Sequence, residues 1–247
     1  MTLEQFFKEN PKVAIGFSGG VDSTYLLYAG LKYGADVKAY YVNADFQPDF
    51  ELEEAKKIAK HIGTDITVMQ LDALADPRVV ANPPERCYYC KFGIFGALKA
   101  QSQADGYPLI IDGTNASDDA SDRPGMKALE EMAVRSPLRE CGLTKDEIRK
   151  LSKEAGLPTW DKPAYACLAT RIPYGRPLTK EVLKRVEAAE GALFALGFSD
   201  FRIRVYEEAA RIQLPAEQEA KLLLEKAEII KQIKPHFPII LLDLEGR

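Results

Sequence analysis

Two hydroxyls, two adjacent glycines and a carboxylate stand together in Ser18-Gly19-Gly20-Val21-Asp22-Ser23, between the apolar run Val13–Phe17 and a helix-patterned stretch, Thr24–Tyr33. Glycines let backbone approach an anion and take positive φ. The helix that follows would offer unpaired N–H groups and the positive end of its dipole. With Ser18 and Ser23 adding hydroxyl donors, the stretch reads as a phosphate cradle. A plain tight turn between strand and helix would use the same glycine pair. Asp22 is an acceptor and does not grip phosphate itself. It suits Mg²⁺, a hard cation that takes carboxylate and phosphate oxygen, or it is a helix-start acid favouring the dipole. The string lacks the Lys of G-x-x-x-x-G-K-[ST] and does not fit G-x-G-x-x-G. A second polar group, Gly113-Thr114-Asn115 with Asp118, Asp119 and Asp122, reads by spacing alone as a solvated acidic loop.

Cysteine is the second chemistry-bearing type. Cys87-Tyr88-Tyr89-Cys90 is a C-x-x-C at the start of a predicted helix, where the dipole favours thiolate. Four readings stand side by side. A zinc ribbon wants a second C-x-x-C or a His pair, and the two histidines, His61 and His236, are singly placed. A redox dithiol leaves Cys167 unexplained. Inert buried thiols are the bland reading. The fourth joins Cys87, Cys90 and Cys167 as ligands of a 4Fe–4S cluster with one iron left open. Cys141, beside Gly142, has no partner by spacing and reads as core packing. The third set is basic. Arg171, Arg176, Arg202, Arg204 and Arg211 gather late in the chain, and Arg202 and Arg204, two apart on a strand, share a face. Arginine forks suit carboxylate and phosphate. Solvation, or pairing with Glu187 and Glu190, is the alternative.

The elements that must place these groups follow from periodicity. Predicted strands at 13–17, 37–43, 66–71 and 109–112 alternate with predicted helices at 24–33, 51–62 and 85–103, the order of a parallel sheet with crossover helices. In such sheets ligands bind beyond the carboxyl ends of the strands, where the glycine turn, Asn43 and Gly113-Thr114-Asn115 fall. A short strand or strand end at 134–138 and a helix at 144–155, with Thr144 and Glu147 in capping-box spacing, come next. Residues 161–175 have little periodicity, and an irregular stretch of that length is often functional. After it the order becomes helix (179–196), strand (201–206), strand (210–214), helix (217–233, with a break near Lys226) and strand (239–244). We therefore expect an α/β chain with a domain 1–170 and a smaller α+β domain 171–247.

The composition is ordinary for a globular protein: 247 residues, 46% hydrophobic, 28% charged, net charge −4. No basic field points to nucleic acid. No run reaches the roughly 18 apolar residues of a membrane span. Four cysteines make no disulfide scaffold. A soluble cytoplasmic protein, a homo-oligomer with neither membrane nor nucleic-acid partner, is the expectation.

The turn at Ser18 resembles the PP-loop, S-G-G-x-D-S, of the ATP pyrophosphatase superfamily. Together with G-T-N at Gly113, R-P-G at Arg123, S-P-L at Ser136, D-K-P at Asp161 and C-L-A-T-R-I-P-Y-G at Cys167, it makes the chain similar to the LarE family of PP-loop sulfur transferases. That family matures the nickel-pincer nucleotide cofactor of lactate racemase. The resemblance implies an adenine nucleotide alpha hydrolase-like sheet domain. It implies that ATP adenylates a carboxylate of a pyridinium dicarboxylate mononucleotide, and that sulfur then displaces AMP to leave a thiocarboxylate. Ser18, Gly19, Gly20, Asp22, Ser23, Asn43, Gly113 and Thr114 would hold ATP and Mg²⁺. Tyr88, Arg171, Glu190, Arg202 and Arg204 would hold the substrate, and Cys167, Asp22 and Arg171 would serve catalysis. One branch of the family sacrifices the sulfur of a cysteine matching Cys167 and leaves dehydroalanine. This chain departs from it in having Cys87 and Cys90. The three-cysteine branch is associated with a 4Fe–4S cluster whose open iron carries sulfide from a sulfur donor. That arrangement also resembles the cluster-dependent tRNA thiolases of the superfamily.

Overall fold

The computed structural model describes residues 1–118 and 124–246; Asp119, Asp122 and Arg123 lie outside the described residues. In chain order the elements are α1 (Leu3–Glu9), β1 (Lys12–Gly16), α2 (Val21–Lys32), β2 (Asp36–Ala44), α3 (Asp49–Ile62), β3 (Ile66–Leu71), α4 (Pro77–Val80), α5 (Arg86–Ala104), β4 (Ile110–Ile111), α6 (Pro124–Glu131), α7 (Pro137–Glu140), α8 (Lys145–Glu154), α9 (Lys180–Ala195), β5 (Arg202–Tyr206), β6 (Ala209–Gln213), α10 (Glu219–Leu224), α11 (Lys226–Ile233) and β7 (Ile239–Leu242). Among the described residues no helix is long and apolar enough to cross a membrane.

The chain divides into two compact units. Met1–Ala73 and Glu85–Lys162 make the first, and Leu74–Pro84 with Pro163–Arg247 the second. The division falls after Lys162, where the element order alone places it near residue 170. The short segment 74–84 joins the second unit through Asn82. This residue is buried in the left-handed region, φ 50°. Its side-chain amide donates to the carbonyls of Pro173 (2.9 Å) and Arg176 (3.2 Å), and its own carbonyl accepts from Gly175 N at 2.8 Å. Such long-range pairing leaves no periodic trace, and helix α4 inside the segment, capped by Asp76, was not read from the sequence.

In the first unit the strands run in the order β3-β2-β1-β4, all parallel. Along β1, Val13 and Ile15 enter one core with Phe6, Leu26, Leu27, Ile58 and Ile148, while Ala14 enters the other with Tyr40, Phe95 and Leu129. Both faces of the sheet are covered, which is why its strands read as unbroken apolar runs. The short strand or strand end expected at 134–138 is reduced to one bridged residue. Arg135 makes a single parallel bridge to Ile111, and Pro137 then opens α7, because proline is tolerated in a helix's first turn and not inside a ladder. The capping box at Thr144 and Glu147 forms, with the threonine side chain accepting from Glu147 N at 3.4 Å.

The second unit is a three-stranded sheet in the order β5-β6-β7, with β5 and β6 antiparallel and β6 and β7 parallel. Helix α9 buries Val182, Leu183, Val186, Ala189 and Leu193. The break near Lys226 is present, at Glu225 between α10 and α11. On the exposed side of α9 a Cβ at Gly191 would meet nothing within 4 Å. Gly191→Ala is therefore expected to stabilise the chain by about 0.5–1 kcal/mol, through the entropy glycine forfeits in a helix. Thermal unfolding should register this as a rise of a few degrees; an unchanged or lowered midpoint would contradict it.

Candidate functional site

In the first unit the connection after β3 carries the chain to β4 on the far side of β1. The strand order therefore reverses between β1 and β4, and a crevice opens there at the carboxyl ends of the strands. The Ser18–Ser23 turn follows β1 and Gly113-Thr114-Asn115 follows β4, so topology alone brings these two sequence-predicted segments together.

The turn is braced internally. Ser23 Oγ accepts from Ser18 N at 3.2 Å and lies 3.1 Å from Ser18 Oγ. Gly19 takes φ +71°, and a Cβ there would lie 3.2 Å from Ala55 of α3, so the position is both left-handed and crowded. The first bond of α2 runs from Thr24 N to Gly20 O at 3.0 Å. The N–H groups of Val21, Asp22 and Ser23 precede it and are the donors that a helix start leaves over. That donor set suits a phosphate.

Gly113 packs directly on this helix start. A Cβ there would stand 2.9 Å from Ser23 N and 3.2 Å from Asp22 Cβ. Asp112, before it, is buried and accepts from Thr114 Oγ1 at 2.5 Å and Ser136 Oγ at 2.6 Å, which ties the S-P-L segment to the loop. Asn115, also buried, donates Nδ2 to Asp22 at 3.3 Å. Asn43, at the end of β2, donates to Gln70 at 3.1 Å.

Two lysines that sequence reading did not single out stand at the turn. Lys145 Nζ is 2.5 Å from the second oxygen of Asp22. Lys162 Nζ donates to Gly19 O at 3.2 Å and to Glu54 at 2.8 Å. Helix α8 sets both: Lys145 is its first residue, and Arg149, one turn on, donates to the carbonyls of Trp160 (2.7 Å) and Lys162 (2.8 Å). Lys162 lies within D-K-P, a signal that was available; nothing in the spacing marked Lys145. Lys145 and Asn115 together hold the Asp22 carboxylate at the helix start.

Among the described residues no disulfide joins the four cysteines. Cys87 and Cys90 sit three apart in the first turn of α5, on one face and half-buried. Tyr88 between them donates its hydroxyl to Glu131 of α6 at 2.6 Å and stacks near Tyr89 and Phe92. Cys141 packs against the main core, and burial pushes its thiol up. Among the described residues no three His, Cys, Asp or Glu side chains are gathered as a metal-holding group.

Cys167 lies in the second unit, half-buried, at the start of a 3₁₀ turn, Leu168–Arg171. Arg171 and Glu190 form an ion pair with side chains 0% and 1% exposed, Nε to Oε1 at 2.8 Å and Nη2 to Oε2 at 3.1 Å. Burial alone would lower the guanidinium pKa; hydrogen bonding and attraction to Glu190 more than reverse it, so the net shift is upward. Arg204 donates to Thr170 O at 2.7 Å and Gln213 at 2.6 Å. With Arg211, Tyr174 and Tyr206 it lines a pocket of about 470 Å³. Arg171 and Arg202 donate to carbonyls of residues 164–167 and Arg204 to that of Thr170, and Arg171, Arg204 and Arg211 all line the cavity.

Residues 12–81 match the family described as Queuosine biosynthesis protein QueC. An uncharacterised protein of Synechocystis sp. is 40% identical over 99% of this chain and 92% of its own. The pyridinium-3,5-bisthiocarboxylic acid mononucleotide synthase of Lactiplantibacillus plantarum is 34% identical over 99% of this chain and 90% of its own. The tRNA-specific 2-thiouridylase MnmA of Thermotoga petrophila is 27% identical over 59% of this chain and 52% of its own. The likeness to the synthase extends over nearly the whole of both proteins and takes in the turn at Ser18, the loop at Gly113 and the stretch around Cys167, and on that ground the chain belongs to the LarE family of PP-loop sulfur transferases.

Proposed function

We propose that the chain adenylates a carboxylate of a pyridinium dicarboxylate mononucleotide and replaces the AMP by sulfur to give a thiocarboxylate. The observation that carries this reading is the Ser18–Ser23 turn at the β1/β4 crevice, in a chain 34% identical to a synthase of that product class. A carboxylate is a poor acceptor for a sulfur nucleophile. Its oxygen attacks the α-phosphorus of ATP, the α–β bond breaks, and pyrophosphate leaves. Sulfur then adds at the acyl carbon and AMP departs with the electron pair. The α2 N–H groups and the Ser18 and Ser23 hydroxyls bind the departing pyrophosphate. Asp22 would hold a Mg²⁺ that neutralises the pyrophosphate charge, and Lys162 adds a second positive charge. Arg204, with Arg211, holds the anionic substrate.

Cys87, Cys90 and Cys167 are the ligands we assign to a 4Fe–4S cluster. Soft thiolates fit that group, and Cys87 and Cys90 already share a helix face. When bound, a cluster with three protein ligands supplies sulfide at its open iron. The alternative, loss of the Cys167 sulfur itself, is read out as dehydroalanine by intact-protein mass spectrometry. The exposed apolar side chains of Leu224, Ile239 and Leu244 support a homo-oligomer, and four cysteines in 247 residues, too few for a disulfide scaffold, support a cytoplasmic setting. A tRNA substrate is disfavoured by the net charge of −4.

Phosphorus NMR of the reaction tests the central step. AMP and pyrophosphate are the expected products, and only in the presence of the pyridinium mononucleotide. ADP as the sole nucleotide product would overturn the reading.

A further inference from the structure

Residues 164–170 contain no strand and only one short 3₁₀ turn, yet the carbonyls of Ala164, Ala166, Cys167 and Thr170 each accept from an arginine. Arg202 Nη2 donates to Ala164 O at 2.6 Å and its Nη1 to Phe201 O at 2.6 Å. Arg171 Nη1 donates to Ala166 O at 2.8 Å, to Cys167 O at 3.4 Å and to Thr170 Oγ1 at 2.8 Å. Arg204 Nη1 donates to Thr170 O at 2.7 Å. The guanidinium carbons of Arg171 and Arg202 lie 4.7 Å and 5.4 Å from the centre of the Tyr165 ring, within cation–π range. The Tyr165 hydroxyl is bonded to Glu190, which also pairs with Arg171 and accepts from Ile203 N of β5 at 2.9 Å. An irregular segment has no ladder to fix it. Here five donated carbonyl or hydroxyl contacts and one sandwiched ring take the ladder's place, two of the contacts from β5 and three from Arg171, itself held by Glu190 of α9. Ala164 and Ala166 are exposed and the Cys167 side chain is half-buried, so the backbone is fixed while the sulfur stays within reach.

From this geometry we infer that Arg171, Arg202, Glu190 and Tyr165 are positioning residues that clamp the Cys167 loop, and that they act on sulfur insertion through the placement of the Cys167 sulfur, not by holding the nucleotide substrate. The inference deepens the reading of this chain as a sulfur transferase and rests on it for the kinetic arm of its test. Arg202 is not among the residues that line the cavity beside Arg204 and Arg211, and its Nη1 and Nη2 both donate to carbonyls of its own chain. As a ligand, the Cys167 sulfur would set where the cluster presents sulfide to the acyl carbon, and a misplacement of about 1 Å costs on the order of 10²-fold in rate.

The experiment compares Arg202→Met, Tyr165→Phe and Arg202→Lys in the full chain. Two steps are followed separately: release of pyrophosphate on adenylation, and appearance of thiocarboxylate. The alkylation rate of Cys167 by iodoacetamide is measured as a function of pH against Cys141 as internal reference, and needs no substrate. Arg202→Met and Tyr165→Phe are expected to keep adenylation and its Michaelis constant, to lose sulfur insertion by on the order of 10²-fold, and to alkylate faster at Cys167. Arg202→Lys, which retains one donor on a long stem, is expected to fall between. A raised Michaelis constant for the mononucleotide in the adenylation step would make these residues substrate contacts and overturn the inference. Both steps falling in proportion, along with thermal stability, would reduce the cluster of contacts to a purely structural role and overturn it equally. Absence of pyrophosphate release in the unaltered chain would instead defeat the sulfur-transferase reading, and the alkylation rates would still decide whether the loop is clamped.

Discussion

Gly113→Ala is expected to cut ATP cleavage by on the order of 10²-fold while the chain still folds. The one added carbon would sit 2.9 Å from Ser23 N and 3.2 Å from Ser23 Cα. These are backbone atoms at the start of α2, not the tip of a side chain that can turn aside. The helix start or the loop after β4 must move by several tenths of an ångström, and overpacking of this kind costs about 1–3 kcal/mol. The cost falls where the N–H groups of Val21, Asp22 and Ser23 converge, so the ATP site loses its shape before the core loses its packing. Asp22→Ala reaches the same end by another route, because it removes the carboxylate that Lys145 and Asn115 both hold and with it the seat for Mg²⁺. Pyrophosphate release at varied ATP concentration, read beside the thermal midpoint, checks both variants. Wild-type kinetics in Gly113→Ala would show that the β4 loop does not shape the nucleotide site.

The parts of this site legible from sequence share one property, which is that their signal is local. Strand, turn and helix start at 13–23 are contiguous, so composition and periodicity specify them together, and observed and expected boundaries of β1 and α2 differ by only a few residues. The capping box at Thr144 is local for the same reason. Lys145 was invisible because its partner, Asp22, is 123 residues away, and a lysine at a helix start otherwise looks like any solvated charge. The arginines show the converse. Their number and spacing mark residues 171–211 as basic, but whether a guanidinium faces a ligand or a carbonyl of its own chain depends on the return of β5 past residues 164–170. No pattern in either segment encodes that encounter. The segment 74–84 escapes for a similar reason, since one buried asparagine and two backbone bonds fix its place.

The largest loss of stability is expected at Glu190. Its carboxylate is 1% exposed and faces a guanidinium that is 0% exposed. Glu190→Gln keeps the size and part of the hydrogen bonding, yet it leaves the Arg171 charge buried with no counter-charge. Breaking a buried pair from one side costs about 3–5 kcal/mol, a large fraction of the roughly 5–15 kcal/mol that holds a domain together. An arginine is not deprotonated in proteins near neutral pH, so the penalty cannot be relieved by mild alkali. Removing both charges is a different matter. Arg171→Met with Glu190→Leu fills the space with apolar atoms and leaves no buried ion, and such replacements are often neutral or stabilising. Denaturant unfolding of the two single variants and the double variant makes a cycle whose coupling term isolates the pair. The double variant is expected to recover most of the lost stability and none of the sulfur insertion, because the carbonyls of Ala166 and Cys167 no longer have their donor. Recovery of activity along with stability would mean that the pair serves only to hold the unit together.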